Sequence, residues 1–263
     1  MKISSASHYR TNDKIFSLLQ PLIQKGMKIL DFGAGKGHMV QRIGEHAKSL
    51  NLKPSELIFP CEVEPDCFLY DEVECTSINL DSKIPFEGDY FDAVYAIEVL
   101  EHTPRPYDFM VEAYRVLKPG GILIISVPNV SHILSRFSSF FSGFPSLFPP
   151  PSKKQKNAGR ICGHIMPLSF PYFHYGTTRA GFEGINLIID RLKRSCLFWY
   201  VLLFPIIKLS SFLYSRKLHK YDSELWDENI ELVYEMNSIK ILCSRSIICK
   251  SIKPADCANS SNC

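Results

Sequence analysis

A short apolar run that ends in a glycine-rich turn constrains the fold of this chain more than any other feature. The run covers residues 28–32, and Gly33, Gly35 and Gly37 follow it at alternate positions. Such a run indicates a buried strand, and glycines let the following turn approach a ligand closely. The segment after the turn, to about Lys48, is expected to be helical. A strand, a glycine turn and a helix in this order predict a cofactor cradle.

Patterns typical of strands and helices continue along the chain. Further strands are predicted at 56–62, 75–78, 91–96, 122–127, 185–190 and 237–250, and helices at 12–24, 106–117 and, as a short one, within 169–181. Pro60 suggests that pairing of the second strand stops there, because proline has no N–H to donate. The alternation predicts an α/β fold with a doubly wound, seven-stranded, mostly parallel sheet.

The pattern also divides the chain into two halves of one domain. Residues 1–130 are predicted to form the cofactor-binding half, and 131–253 the substrate-side half. Insertions after strands five and six, at 131–184 and 191–236, are rich in basic and aromatic residues. The small, polar segment 254–263 is expected to be a disordered tail. Nine scattered cysteines and no secretory signal favour reduced thiols in a cytoplasmic protein.

The charge is distributed unevenly. Residues 131–220 carry 13 Lys and Arg against 2 Asp and Glu, although the whole chain has a net charge of only +3. A block at +11 favours an anionic partner, namely a phosphorylated substrate, an acidic membrane surface or a nucleic acid. A solvated surface without a partner is the alternative.

Acidic residues at the strand ends narrow the choice of cofactor. The glycine spacing is G-x-G-x-G, and residue 38 is His, so the dinucleotide spacing G-x-G-x-x-G is not met. Asp31 stands two residues before Gly33, where its carboxylate suits a ligand with ammonium and sulfonium charge. Glu62 and Glu64 follow the next strand and are candidates to accept ribose hydroxyls. Glu62 is preferred because it ends the apolar run.

Several stretches together resemble the class I S-adenosylmethionine-dependent methyltransferase family, particularly its bacterial small-molecule and lipid-type members. They are D-F-G-A-G-K-G at 31–37, N-L-D-S-K-I-P-F at 79–86, D-Y-F-D-A-V at 89–94, A-I-E-V-L-E-H at 96–102 and L-K-P-G-G at 117–121. The resemblance covers roughly residues 8–130 and is specific as a set. It implies a Rossmann-like methyltransferase fold and S-adenosylmethionine as the cofactor.

The resemblance also implies roles for individual residues. Asp31, Gly33, Gly35 and Gly37 would surround the methionine part of the cofactor, and Glu62 would bind the ribose. In the same way, Asn79 and Leu80 would face the adenine, and Glu98 would line the methionine end. Many family members have aspartate where Asn79 stands, so a weaker adenine contact is expected here.

The histidines leave three readings open. His102 and His164 are the candidate catalytic residues, either as a base for a hydroxyl acceptor or as an active-site wall. A structural role for His102 is the second reading. The third follows from a resemblance of Glu98, Glu101 and His102 to the metal-binding stretch of small-RNA 2′-O-methyltransferases, which His164 or His174 would complete. The expectation adopted is that no metal is bound.

The segment 191–220 favours contact with a membrane. An apolar run at 196–207 is flanked by basic residues on both sides, but Pro205 and Lys208 interrupt it as a spanning helix. An interfacial helix and a lid over the substrate pocket are the two alternatives. The predicted function is methyl transfer from S-adenosylmethionine to a small or lipid-linked, anionic acceptor, with oxygen favoured. A metal-dependent RNA 2′-O-methyltransferase and a non-catalytic cofactor-binding or membrane-adaptor protein are the rival hypotheses.

Overall fold

A computed structural model describes residues 3–79, 83–150 and 163–255. The strands are β1 Ile29–Phe32, β2 Ile58–Glu62, β3 Thr76–Ser77, β4 Phe91–Ile97, β5 Leu117–Pro128, β6 Glu183–Ile189 and β7 Ser246–Ile252. The helices of these ranges are α1 Tyr9–Leu19, α2 His38–Ser49, α3 Pro54–Leu57, α4 Pro106–Val116, α5 Ile133–Ser142, α6 Phe170–Arg179, α7 Arg194–Tyr221, α8 Ser223–Glu235 and α9 Ile239–Cys243.

The strands form one mixed sheet in the order β3-β2-β1-β4-β5-β7-β6. Strands β1 to β5 pair in parallel, and β7 is antiparallel to both of its neighbours, β5 and β6. The chain order reverses beside β1, so the carboxyl ends of β1 and β4 flank a crevice where ligands bind in this class of fold. The predicted doubly wound, seven-stranded and mostly parallel sheet is therefore confirmed.

Helices cover both faces of the sheet, which explains why its central strands are apolar on both sides. On one face α1 and α2 contribute Ile15, Leu19, Val40 and Ile43 to a buried cluster. On the other face α4 and α6 contribute buried side chains of the same kind, among them Phe109, Met110, Phe170 and Phe173. The two clusters hold the strands in place, and therefore also the turns that follow them.

The expectation for Pro60 was wrong, because β2 continues through it. Pro60 stands opposite Asp31 of β1, and the pairing extends to Cys61. The Cys61 carbonyl accepts from Gly33 on the β1 side, whereas the Glu62 carbonyl accepts from Ile78 on the β3 side. Since successive residues face alternate neighbours, Pro60 faces β3, and pairing with β3 begins only at Cys61. The missing N–H of Pro60 thus interrupts no ladder.

The predicted strand at 237–250 was also placed wrongly in its first half. The segment begins with α9, whose N-cap Ser238 accepts from the backbone of Ile241, and the strand runs from Ser246 to Ile252. Apolar residues in so short a helix resemble a strand run, because periodicity cannot separate the two over five residues. The helix α5 was not predicted, because its segment has no clean sequence period. The predicted helix 12–24 corresponds to α1, which begins at Tyr9.

Replacing Asn129 by alanine is expected to lower the free energy of unfolding by about 2–3 kcal/mol. The buried Asn129 amide donates to the Ile241 and Ser244 carbonyls and accepts from the Ser131 backbone. It thereby ties the end of β5 to α9. Urea denaturation measures the change, and Asn229→Ala, which removes an exposed amide of α8, is the control with an expected effect below about 0.5 kcal/mol. Equal effects of the two substitutions would contradict this role of Asn129.

Candidate functional site

A cavity of about 660 Å³ opens at the carboxyl ends of β1, β2 and β4. This volume lies within the range of roughly 300–1,000 Å³ that is common for small-molecule and cofactor sites. The lining includes the glycine turn and five carboxyl groups, namely Asp31, Glu62, Glu64, Glu98 and Glu101. Lys36 is the one lysine or arginine among the described lining residues, so the cavity favours a ligand with positive charge.

The glycine turn has the backbone conformation that the sequence predicts. Gly33, Gly35 and Gly37 all have positive φ, at 80°, 54° and 87°. A Cβ at Gly33 would lie 2.5 Å from a methyl group of Val99, and one at Gly37 would lie 2.7 Å from the Phe68 ring. At Gly35 a Cβ would meet no described atom within 4 Å. Gly33 and Gly37 therefore allow tight packing, whereas Gly35 leaves open space for a ligand.

Asp31 is almost completely buried at the end of β1. Its Oδ2 atom has no hydrogen-bond partner among the residues that the structure describes. Burial raises the pKa of this carboxyl to about 7, the Tyr95 hydroxyl opposes the shift and the Glu62 carboxylate adds to it. A buried acceptor without a donor is costly, so Asp31 fits a ligand that brings its own cationic donor.

Glu62 is held inside the cradle by two backbone groups. Its Oε2 accepts from the Gly35 N–H at 2.7 Å, and its Oε1 accepts from the Val63 N–H at 2.7 Å. Each carboxylate oxygen keeps a second lone pair for ligand hydroxyls. Glu64 also lines the cavity, but Glu62 contacts the glycine turn directly. The geometry thus agrees with the preference for Glu62, whose binding of ribose stays a prediction.

The remaining residues predicted to contact the cofactor are Glu98, Asn79 and Leu80, and only Glu98 is found among the described residues that line the cavity. Glu98 lines the cavity with a strained φ of 52°, and its Oε1 accepts from the Ser246 hydroxyl at 3.0 Å. Burial raises the pKa of Glu98. Asn79 is exposed and follows Ile78, which lines the cavity, while Asn79 is not among the described lining residues. Leu80 lies outside the described residues, so the adenine contacts stay predictions.

The far end of the cavity contains Glu101, His102 and His164. Glu101 belongs to a 3-10 turn after β4, and its carbonyl accepts from Ile165 and Met166, which brings the neighbouring His164 close. The two imidazole rings lie 4.9 Å apart, and His164 Nε2 is 4.0 Å from Glu101 Oε1. Both candidate catalytic histidines therefore share one site.

Burial is the main cause of the pKa shifts of Glu101 and His164. It raises the pKa of Glu101 to about 8 and lowers the pKa of His164, which the nearby His102 lowers further. His174, the other histidine considered for this site, lies on α6 and makes an edge-to-face contact with Phe170. It is not among the described residues that line the cavity.

The sequence did not point to the N-terminal wall of the cavity. Ser4 to Ser7, Asn12 and His38 complete the lining there. The Asn12 amide donates to Ser5 and Ser7, and His38 Nδ1 lies 2.7 Å from the Ile3 carbonyl. Only tertiary packing brings these residues to the glycine turn, because no motif marks them.

These residues fit S-adenosylmethionine. A buried Asp31 carboxyl whose Oδ2 has no hydrogen-bond partner among the described residues, open space above Gly35 and a lining with five carboxyl groups match a ligand with ammonium and sulfonium groups. Residues 6–182 match the model of a family described as methyltransferase domain. The chain belongs to this methyltransferase family. The match confirms the resemblance to class I S-adenosylmethionine-dependent methyltransferases and the expectation of this cofactor.

Several relatives carry the same region within longer chains. This methyltransferase is 38% identical to cycloartenol-C-24-methyltransferase of Arabidopsis thaliana over 108 residues, 40% of this chain and 32% of that one. It is 31% identical to the human mitochondrial ubiquinone biosynthesis O-methyltransferase over 131 residues, 47% of this chain and 34% of the relative. The chain thus spans about a third of the length of these two relatives.

Solved structures agree on the fold. Phosphoethanolamine N-methyltransferase 2 of Haemonchus contortus superposes with a TM-score of 0.54 over 96% of this chain and 54% of that chain, at 15% identity. A sarcosine dimethylglycine methyltransferase from Galdieria sulphuraria gives a TM-score of 0.52 over 94% and 85%, at 17% identity. At these identities the likeness extends to the fold alone.

Proposed function

We propose that this methyltransferase transfers the methyl group of S-adenosylmethionine to a small or lipid-linked, anionic acceptor that it reaches at a membrane surface, with oxygen as the acceptor atom. The observation that carries the membrane part of the proposal is the outer face of α7. This helix is long and apolar enough, by length and composition alone, to cross a membrane. None of its residues lines the cavity that the described residues form, so the lid alternative loses its support.

Six of the exposed apolar side chains of α7 lie on one face of the helix. They follow each other at spacings of three and four residues, which places them on one side of a helix: Phe198, Val201, Leu202, Leu209, Phe212 and Leu213. The face extends over about 22 Å at 1.5 Å per residue. An uninterrupted apolar face of this length is uncommon on a surface that contacts only water.

The polarity of α7 is inverted relative to a helix of a water-soluble protein. Its buried residues are Cys196, Ser211 and Ser215. Ser211 accepts from the Asn237 amide and donates to the Ile207 carbonyl. The fully buried residues of this helix are therefore small or polar, while many of its large apolar side chains face outward. A lipid environment favours this arrangement, because the hydrocarbon chains of the lipids then contact the apolar outer face of the helix.

A second exposed cluster lies on α5, which packs against α7 through Phe137 and Trp199. Phe140 and Phe141 of α5 are 82% and 80% exposed. Basic residues lie at both ends of α7, where they suit the headgroups of anionic lipids: Arg191, Lys193, Arg194, Arg216, Lys217 and Lys220. We therefore infer peripheral contact of residues 191–220 with the cytoplasmic face of a membrane rather than a spanning helix.

Methyl transfer requires mainly alignment of the reacting groups in a water-poor pocket. The cofactor, when bound, supplies an activated methyl group on sulfur. Asp31 and Glu62 would orient it through its charged and hydroxyl groups, and Val99 closes the floor of the cavity behind Gly33. His102 and His164 would form the wall that faces the acceptor. Relatives named for sterol methylation and for ubiquinone biosynthesis support an acceptor of low polarity.

The rival functions have less support from the described residues. An RNA acceptor requires a basic groove with stacking platforms, whereas the exposed face of α7 is mainly aliphatic and phenylalanine-rich. An adaptor that binds no cofactor does not require the open space at Gly35 or the Asp31 Oδ2 that lacks a partner among the described residues. Neither alternative explains both the cavity at the glycine turn and the exposed apolar face of α7.

The acceptor can be identified by transfer of label. The full chain is incubated with S-adenosylmethionine labelled in its methyl group and with total lipid extract, aqueous metabolites or RNA in separate reactions. Label is expected in an organic-phase species in the lipid reaction, and no transfer is expected with Asp31→Asn. Label that appears only in aqueous metabolites or only in RNA would contradict the proposed acceptor class.

A further inference from the structure

His132 and Lys193 place two hydrogen-bond donors against each other where α5 and α7 begin. His132 is the N-cap of α5, and its Nδ1 accepts from the Ser135 backbone N–H at 3.0 Å. Because a backbone N–H only donates, Nδ1 is unprotonated and the ring carries its proton on Nε2. The Nζ atom of Lys193 lies 3.3 Å from this Nε2. A lysine ammonium only donates as well, so the two groups make no hydrogen bond with each other.

His132 lacks an acceptor although it is almost completely buried. It is only 2% exposed, and Lys193 Nζ is the one polar atom that the described residues place at hydrogen-bond distance from its Nε2. Burial, together with the charges of Lys193 and Arg245, lowers the pKa of His132 to about 4, so the ring is neutral at physiological pH. Buried donors are usually satisfied, so the contact indicates a missing acceptor between His132 and Lys193.

The N-terminus of α7 adds backbone donors at the same place. Lys193 is its N-cap, but no side chain caps this helix and its first turn contains no acidic residue. The Arg194 and Ser195 N–H groups have no acceptor in the described part of the chain. Cys196, in the same turn, contacts His132, with 3.7 Å between Sγ and Nδ1. The uncapped helix end therefore lies beside the two side-chain donors, and helix N-termini bind phosphate groups readily.

The surroundings of His132 contain cations without a paired carboxylate. Arg191 pairs with Asp190 at 2.6 Å, whereas Lys193 and Arg245 form no ion pair among the described residues. Burial lowers the pKa of Lys193, and the charges of Arg245 and Arg191 add to this shift. An anion beside Lys193 would stabilise its charged form, and it would supply the acceptor that His132 lacks.

We propose that Lys193, the Nε2–H of His132 and the N-terminus of α7 bind a phosphate group. Phosphate oxygens accept several charge-assisted hydrogen bonds at once, so one phosphate can satisfy both side chains and the helix end. Phe198, on the exposed apolar face of α7, lies five residues after Lys193, or about 7 Å along the helix at 1.5 Å per residue. A lipid that contacts this face would therefore present its headgroup near Lys193. A lipid source of the phosphate rests on the proposed membrane contact, whereas phosphate binding itself does not.

Titration calorimetry in phosphate-free buffer tests the site with two probes. They are inorganic phosphate and dihexanoyl phosphatidic acid, a short-chain lipid used below its micelle concentration. The full chain is expected to bind one molecule of the lipid, at least about ten-fold more tightly than inorganic phosphate, because its acyl chains bury apolar surface on α7. Equal affinities for the two probes would assign the site to a soluble phosphate compound. Binding of neither probe would overturn the proposal.

Lys193→Ala is expected to weaken binding of either probe at least about ten-fold, because a charge-assisted hydrogen bond is lost. Lys217→Ala is the matched control, since it removes the same charge from an exposed position near the other end of α7. It is expected to bind both probes within about three-fold of the wild type. Equal losses for the two variants would overturn the site, because net charge alone would then explain binding.

His132→Asn tests the buried donor. Asparagine is a favourable N-cap residue, so α5 keeps its cap while the Nε2–H is lost. Circular dichroism is expected to show an unchanged fold, and affinity for inorganic phosphate is expected to decrease about three- to ten-fold. If this variant does not fold, Lys193→Ala with its control decides.

Cosedimentation with vesicles of phosphatidylglycerol in phosphatidylcholine separates this site from the proposed function. A wild type that sediments with the vesicles but binds neither calorimetric probe would overturn the phosphate site alone. A wild type that binds inorganic phosphate through Lys193 but does not sediment would instead contradict the proposed membrane contact and leave the phosphate site supported.

Discussion

Asp31→Asn is expected to bind S-adenosylhomocysteine about 30- to 100-fold more weakly than the wild type, and yet to be more stable without ligand at pH 8. The weaker binding follows because a charge-assisted hydrogen bond contributes about 1.5–3 kcal/mol, and every 1.4 kcal/mol changes affinity ten-fold. Asp31 supplies the buried acceptor without a described partner at the end of β1. Calorimetry measures the affinity.

The gain in stability follows from the raised pKa. Burial raises the pKa of Asp31 from 3.8 to about 7. Between about pH 4 and pH 7 the unfolded chain has already released this proton while the folded chain retains it. The free energy of unfolding therefore decreases as the pH rises through this range, and the cost is complete above pH 7. Asparagine never ionises, so the variant is expected to be about 1–3 kcal/mol more stable at pH 8 and to differ little at pH 4.

Asp13→Asn is the control for both measurements. Asp13 is exposed and pairs with Arg42 on the surface, so its removal should change stability by less than about 1 kcal/mol and leave binding unchanged. Urea denaturation at pH 4 and pH 8 measures the stability. Asp31→Asn could instead be less stable than the wild type by the same amount at pH 4 and at pH 8. That result would show that burial does not penalise the charged form of Asp31.

The double substitution Val201→Asp with Leu209→Asp is expected to weaken partitioning into anionic vesicles at least about 30-fold. Both residues lie on the exposed apolar face of α7, where Val201 is 74% exposed. Burial of such side chains contributes about 1.5–3 kcal/mol each, and the added carboxylates repel an anionic surface. Cosedimentation with vesicles of 30% phosphatidylglycerol in phosphatidylcholine measures the partitioning.

The matched control replaces the same residue types elsewhere on the surface. Val111 of α4 is 56% exposed, and Leu50 follows α2 with its side chain also exposed. Val111→Asp with Leu50→Asp adds the same charge but is expected to partition within about three-fold of the wild type, because only the net charge changes. Equal losses for the two double variants would show that net charge, and not the α7 face, controls binding.

The sequence predicted the cofactor half well because its signals are local. A strand with Asp31 near its end and a turn with glycines at alternate positions dictate their own backbone, and the structure places Gly33, Gly35 and Gly37 at positive φ. Glu62 was preferred from its position at the end of an apolar run, and it does contact the turn. The two errors arose where the sequence contains no local signal. At Pro60 the outcome depends on which neighbouring strand the proline faces, and in 237–250 a five-residue helix is too short to show a helical period.

The sequence alone determined the fold class, the family and the residues of the glycine turn that line the cavity, because short-range patterns of apolar residues and glycines encode these features. Only the tertiary structure decided that Glu101, His102 and His164 meet, since the last two lie 62 positions apart in the chain and backbone contacts of Glu101 join them. It also decided that Ser211 and Ser215 face inward on α7 while many of its large apolar residues face outward. Composition shows how apolar a helix is, but which face packs against the protein depends on contacts between residues distant in the chain.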